Sequence, residues 1–189
     1  MSEFTLTALS PLGGARHDFE GVTISEVTGR AIVSVATPMG GDNALSKAVS
    51  SAFKTTLPLI GSSTTSAVAN SRLLGMQQGL FFLLFDHAGP GAVNAVAERL
   101  KGRALLTDQS DSWVMIEVSG ANARAAFERI CPIDLHPAAF PAGKVARTSM
   151  EHLSAIIIRE ETDTFLVMSP RSSAKSFLHA LETSARNVI

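Results

Sequence analysis

The chain is short of cysteine, of charge and of long apolar runs, and each shortage removes a class of protein. A single cysteine, Cys131, excludes an internal disulfide, so nothing points to an oxidising compartment. The longest apolar run, Leu80 to Phe85, is far below the roughly 20 residues that span a bilayer. The opening stretch, Met1 to Gly14, has neither a basic region nor an apolar one, so it does not read as a signal peptide and a cytoplasmic location is expected. Sixteen Lys and Arg stand against 17 Asp and Glu, a formal net charge of −1. The basic residues are scattered singly along the sequence, which argues against nucleic acid as a partner. Charged residues make up only 17% of the 189, where about 25% is usual. With 46% hydrophobic residues the chain is globular rather than disordered. A surface this poor in charge is expected to be covered in part by a partner.

The pattern along the chain is regular after an irregular start. Residues 1–20 carry Ser10-Pro11-Leu12-Gly13-Gly14 and no periodicity, and read as an extended N-terminal arm. Arg30 to Thr37 reads as a strand from its β-branched content. Leu45, Ala48, Val49, Ala52 and Phe53 recur at helical spacing. Thr55 to Asn70, rich in Ser, Thr and Gly, reads as a long loop. Leu73–Met76 and Gly79–Phe85 read as strands paired around Gln77-Gln78. Val93, Val96, Ala97 and Leu100 mark a second helix entered through Gly89-Pro90-Gly91.

The order then repeats. Ser112–Ser119 reads as a strand with Val114, Ile116 and Val118 on one face. Ala123, Ala126, Phe127 and Ile130 form a helical stripe. A connector with several prolines, Cys131 to Gly143, leads to strand-like runs 145–150, 153–159 and 164–168. Ala174, Phe177, Leu178, Leu181 and Ala185 form a last helix, with Ser169 expected as its N-cap and Pro170 at its first position. Aligned at a spacing of about 80 residues, Ala31-Ile32-Val33 matches Trp113-Val114-Met115 and Phe82-Leu83-Leu84 matches Phe165-Leu166-Val167. The expected fold class is α+β: two pseudo-repeated strand–helix–strand–strand–helix lobes, with antiparallel sheets, helices packed on them and a shared core. The lobes are expected at about 21–105 and 106–189 within a single domain, 21–189.

Chemistry is sparse. Asp134-Leu135-His136 offers two potential ligands, but His17, His87, His152 and His179 show no spacing that converges on them, so a rigid turn is expected rather than a metal site. Gly89-Pro90-Gly91 lacks the dinucleotide and P-loop fingerprints and reads as a helix entry. Ser169-Pro170-Arg171-Ser172-Ser173 places a cation in a first helical turn, where it would suit an anion or a partner's carboxylate, though a solvated arginine beside an ordinary Ser-Pro cap is the simpler reading. No serine lies in a Gly-x-Ser-x-Gly context, Cys131 reads as a buried small hydrophobe, and Glu160-Glu161 as a solvated hairpin turn. No catalytic, cofactor-binding or metal-binding residue is assigned.

One resemblance adds to this. Thr107-Asp108-Gln109-Ser110-Asp111-Ser112-Trp113, the Ser119-Gly120 turn, the run Cys131-Pro132-Ile133-Asp134-Leu135-His136-Pro137-Ala138-Ala139-Phe140-Pro141-Ala142-Gly143, the Ala146-Arg147-Thr148 strand and Ser169-Pro170-Arg171-Ser172 are similar to the gamma subunit of heterotetrameric sarcosine oxidase. The resemblance covers roughly residues 107–182 and is most specific in the Asp-Leu-His-Pro segment; the first half agrees mainly in layout and in the Ser-Pro-Leu of the arm. It implies a fold like the folate-binding domain of the aminomethyltransferases (glycine-cleavage T-protein). It also implies a complex that oxidatively demethylates sarcosine to glycine, with release of hydrogen peroxide and 5,10-methylenetetrahydrofolate. FAD, FMN, NAD and tetrahydrofolate would sit in the larger subunits and none in this chain. The partners implied are alpha, beta and delta subunits. On this reading the chain is structural, with its interface expected on the arm and on Asp134, His136, Phe140 and Arg171. The alternative is a stand-alone folate-binding or C1-transfer protein of the same fold.

Overall fold

Runs such as RAIVSVA, LFFLLFD and TFLVMSP are apolar on both sides of the strand, and a strand of that kind needs cover on both faces. The computed structural model, which describes residues 9–188, supplies it with four layers, helices outside and two antiparallel sheets within. Strands β1 (Arg16–Phe19), β2 (Val22–Glu26), β8 (Trp113–Ser119), β9 (Val145–Met150), β10 (Leu153–Glu161) and β11 (Thr164–Pro170) form one sheet in the order β1-β2-β8-β11-β10-β9. Strands β3 (Arg30–Ala36), β4 (Ser63–Ser66), β5 (Ser71–Gln77), β6 (Leu80–Asp86) and β7 (Leu105–Asp108) form the other, in the order β4-β5-β6-β3-β7. Helices α1 (Asp42–Phe53) and α2 (Ala92–Leu100) cover the five-stranded sheet, and α3 (Ala123–Glu128) and α4 (Ala174–Arg186) the six-stranded one.

Three cores follow from this layering. Val33, Leu83, Leu45, Val49 and Phe53 pack between the five-stranded sheet and its helices. Ile116, Val167, Phe127, Phe177 and Leu181 do the same for the six-stranded sheet. Between the sheets lie Ile32, Leu74, Phe82 and Leu84 from one side and Trp113, Met115, Ile156 and Met168 from the other. There Phe82 and Trp113 meet edge to face at 6.2 Å. Fully burying a side chain of this size is worth about 1.5–3 kcal/mol, so the shared middle layer binds the lobes to each other.

The duplication is borne out in topology: β4-β5-β6-β3 repeats as β9-β10-β11-β8, and α1 and α2 correspond to α3 and α4. Its register differs by one residue from the match made on sequence. Val33 lies opposite Leu83 as Ile116 lies opposite Val167. Ala31 therefore corresponds to Val114, both facing helices, and not to Trp113, which faces the other sheet. Phe82 likewise corresponds to Leu166 rather than Phe165. With both faces apolar, a slip of one residue costs nothing in sequence similarity yet exchanges the faces.

Several local expectations are corrected. The division at 105/106 does not follow the sheets, because β2 pairs with β8 of the second half and β7 returns to β3 of the first. The lobes are thus interleaved by strand exchange. The stretch read as a loop holds β4, whose Ser-Thr-Thr-Ser sequence hides it: as an edge strand it needs no apolar alternation. The β5–β6 turn is Gln78-Gly79, one residue later than expected, with Gly79 at φ +69. Ser169 does not cap α4; it remains in β11 opposite Val114 and is fully buried, and a short 3-10 turn, Arg171–Ser173, leads into the helix.

Residues 1–8 of the expected arm lie outside the described residues. The remainder is folded back onto the molecule. Arg16–Phe19 is β1, and the Glu26 carboxylate accepts hydrogen bonds from the Ser10 hydroxyl at 2.9 Å and from the amides of Leu12 and Gly14 at 3.1 and 2.6 Å. Leu12 packs against the second-lobe core.

Candidate functional site

The Cys131–Gly143 connector wraps the helix-facing side of β10 and is built by its own polar side chains. The Asp134 carboxylate accepts from the His136 amide at 2.8 Å, and His136 Nδ1 accepts from the Ala138 amide at 3.3 Å. The Ala139 and Phe140 amides both donate to the His136 carbonyl, at 2.9 and 2.8 Å. These are Asx-type and reverse-turn bonds, so Asp134 and His136 shape backbone while remaining exposed. Phe140 leaves the expected interface set: it is 5% exposed and packs into the second-lobe core with Leu135.

The connector rests on a residue that the sequence reading passed over. Arg159, at 1% exposure, donates to the Leu135 carbonyl at 2.7 Å and lies 4.8 Å from the centre of the Phe165 ring. Its backbone exchanges bonds with the far end of the same connector: its amide donates to the Lys144 carbonyl and its carbonyl accepts from the Gly143 amide. Burial works against the guanidinium charge and lowers its pKa, while the Asp163 carboxylate works the other way. The available signal was its place in the alternation Ala155, Ile157, Arg159, which continues the buried face of the strand.

Arg171 was expected to suit an anion or a partner's carboxylate. Its Nη2 donates to the Leu9 carbonyl and its Nη1 lies 3.6 Å from the Asp111 carboxylate, and its other N–H groups have no partner among the described residues. Glu160, expected to be solvated, lies 3.3 Å from Arg72 and joins the two sheets. Arg72 also donates to the Ser63 hydroxyl at 3.1 Å, and the Ser63 amide donates to Gly143 at 2.7 Å. Burial lowers the Arg72 pKa, the Glu160 charge opposes that shift, and Arg30 adds to it. At the Gly89-Pro90-Gly91 entry, His87 Nε2 lies 3.2 Å from the Pro90 carbonyl, which closes the turn on itself.

Cys131 is 7% exposed, and burial raises its pKa while a backbone hydrogen bond from Ile133 partly offsets this. A thiol so placed is protonated at neutral pH and shielded. Alkylation by iodoacetamide is expected to be at least about 100-fold slower in the native protein than in denaturant, since it must await local opening. Equal rates by mass spectrometry would contradict the packing described here.

Among the described residues no three His, Cys, Asp or Glu gather as a metal site, and no helix is long and apolar enough to cross a membrane. Two surface grooves stand out, one of about 760 Å³ between α1 and the C-terminal end of α2, and one of about 530 Å³ between α4, the residues that follow α3 and the β9–β10 turn.

The model of the sarcosine oxidase, gamma subunit family matches residues 39–186, which takes in both halves of the duplicated fold. The chain belongs to the sarcosine oxidase gamma subunit family. Heterotetrameric sarcosine oxidase from Corynebacterium sp. U-96, solved in complex with pyrrole 2-carboxylate, contains a chain similar to this one in fold. The TM-score is 0.79 and the identity 20%, over 94% of each chain. The glycine cleavage system aminomethyltransferase T from Bartonella henselae is similar over 85% of this chain and 45% of its own, with a TM-score of 0.63 and 17% identity. The aminomethyltransferase-like fold expected from the Asp-Leu-His-Pro segment is therefore present. A comparison with curated protein sequences finds no match. Membership of the gamma subunit family favours a subunit role over a stand-alone folate protein.

Proposed function

We propose that this chain is the non-catalytic, structural gamma subunit of a heterotetrameric enzyme that oxidatively demethylates sarcosine to glycine in the cytoplasm, forming hydrogen peroxide and 5,10-methylenetetrahydrofolate. FAD, FMN, NAD and tetrahydrofolate belong, on this reading, to its alpha, beta and delta partners. The observation that carries the proposal is the family match across both interleaved lobes.

The surface supports it. Met39, Leu59, Ile60 and Leu105 are 104%, 82%, 64% and 64% exposed, and all lie toward one end of the five-stranded sheet. Ala36, at that end of β3, pairs with Leu105 and Leu80; Met39 follows shortly after; the Leu59–Ile60 turn packs against Gly75 near the end of β5. Apolar side chains gathered in this way are usually covered by a partner. Exposed Asp134 and His136, with Arg171, provide a further polar contact on the second lobe.

Co-expression with the alpha, beta and delta chains of the same source tests the reading. The chain is expected to copurify with them at equal stoichiometry, and to self-associate or precipitate when made alone. A monomeric chain, stable alone and indifferent to those subunits in sedimentation, would sink the proposal. Within the complex, His136→Ala is expected to weaken assembly while leaving flavin per assembled complex unchanged; unaltered affinity would remove His136 from the interface.

A further inference from the structure

Packing brings Lys47 to a basic run that the sequence already holds close, Arg99, Lys101 and Arg103. Of the sixteen Lys and Arg in the chain, Lys47, Arg99, Lys101 and Arg103 line the groove between α1 and α2, against the single carboxylate of Glu98. All four are exposed, and none forms an ion pair within 4 Å among the described residues. In the second lobe the groove between α4, the residues that follow α3 and the β9–β10 turn is lined by Arg129 and His179 with Glu151 and has no such excess. The charge is therefore a property of one lobe and not of the repeated fold.

The helix dipole accounts for part of this. Arg99 and Lys101 stand at the C-terminal end of α2, where a cation is favoured. Lys47, in the middle of α1, and Arg103, beyond the end of α2, have no such reason to be there. The α1 side of the groove carries Ala44, Ala48 and Ala52, whose methyl groups let a polypeptide approach closely.

We propose that the α1–α2 groove docks a carboxylate-rich segment of a partner subunit; this rests on the gamma-subunit reading above. Charge complementarity selects the occupant: a chain of net charge −1 carries a cluster of unpaired cations at a single groove, the arrangement that steers an acidic surface into register. Nucleic acid fits less well, because the lining holds no aromatic ring on which a base could stack.

The test uses the full chain bound to its partner subunits. Lys47→Glu/Arg103→Glu changes two exposed side chains, and an unchanged melting curve verifies the fold. Its affinity for the partners is expected to fall roughly ten-fold or more. Lys47→Gln/Arg103→Gln is expected to flatten the salt dependence that the unaltered chain displays. A photo-crosslinking amino acid at Ser51, also on the groove lining, is expected to capture an Asp- and Glu-rich peptide of a partner subunit. Failure of the unaltered chain to assemble overturns both this proposal and the subunit reading. Assembly in which the charge-reversed variant binds like the original overturns the groove proposal alone. So does a crosslink to co-purifying nucleic acid, to a peptide without carboxylates, or to nothing.

Discussion

Arg159→Ala is expected to destabilise the protein by about 3 kcal/mol, read as a melting temperature lower by roughly 6–12 °C. Two losses combine. The Leu135 carbonyl, on the buried side of the connector, loses the donor at 2.7 Å, and a buried acceptor left without a partner costs about 1–3 kcal/mol. The long stem and the guanidinium over Phe165 also vanish, leaving a void in a layer where Phe165 and Phe140 are packed. Arg159→Met separates the terms. It keeps most of the volume and removes a charge that burial disfavours, so it is expected to recover more than half of the lost stability. It does not restore the bond to Leu135, so amide exchange in residues 131–143 should stay faster than in the unaltered protein. If Arg159→Ala melts within about 1 kcal/mol of the original, the guanidinium is not what holds the connector.

Gly75→Ala is the second large effect, also about 3 kcal/mol, and its origin is steric. A Cβ there would lie 2.2 Å from the Leu59 carbonyl oxygen and 2.8 Å from its carbon. Both are backbone atoms, and the turn that carries them cannot easily retreat. The Gly61 amide donates to the Gly75 carbonyl, and the Gly75 amide donates to Ser62, each at 2.9 Å. Ser62 in turn bonds back to Leu59 through its amide at 3.0 Å and its hydroxyl at 2.7 Å. Gly79→Ala is the control: its added Cβ meets nothing nearer than 3.6 Å, and only its φ of +69 opposes the change, at about 1 kcal/mol. Equal costs for the two variants, by chemical denaturation, would refute the clash. Because Leu59 and Ile60 are among the exposed apolar side chains, Gly75→Ala is also expected to weaken assembly, whereas Gly79→Ala should not.

Both residues illustrate how unevenly the structure could be read beforehand. The stripe Leu45, Val49, Phe53 and the stripe Phe177, Leu181, Ala185 were legible because each helix buries one side only. The strands were legible as apolar runs, but their faces were not. Trp113 and Val114 are both hydrophobic and both buried, yet they belong to different layers. The strand β4 was invisible because its pairing with β5 is a backbone interaction that Ser and Thr side chains do not announce. In the connector, the turn-building part played by Asp134 and His136 was anticipated, while the burial of Phe140 was not. An aromatic residue between Ala139 and Pro141 has no periodic neighbours to show which way it points.

Scarce charge was where the sequence pointed toward a partner, and by itself it determined more than composition. It carried the duplicated strand–helix order, the solitary buried thiol and the connector motif on which the resemblance to the family rested, because each is written in contiguous residues or in a fixed helical or strand period. Tertiary structure decided what depends on residues far apart in the chain. It set β2 and β7 into each other's half, buried Arg159 beneath a connector that begins at Cys131, and brought Lys47 beside Arg99, Lys101 and Arg103. The physical reason is the same in each case. A side chain's burial and the sum of the charges around it are set by which elements pack together, and two sheets apolar on both faces leave that choice to the packing.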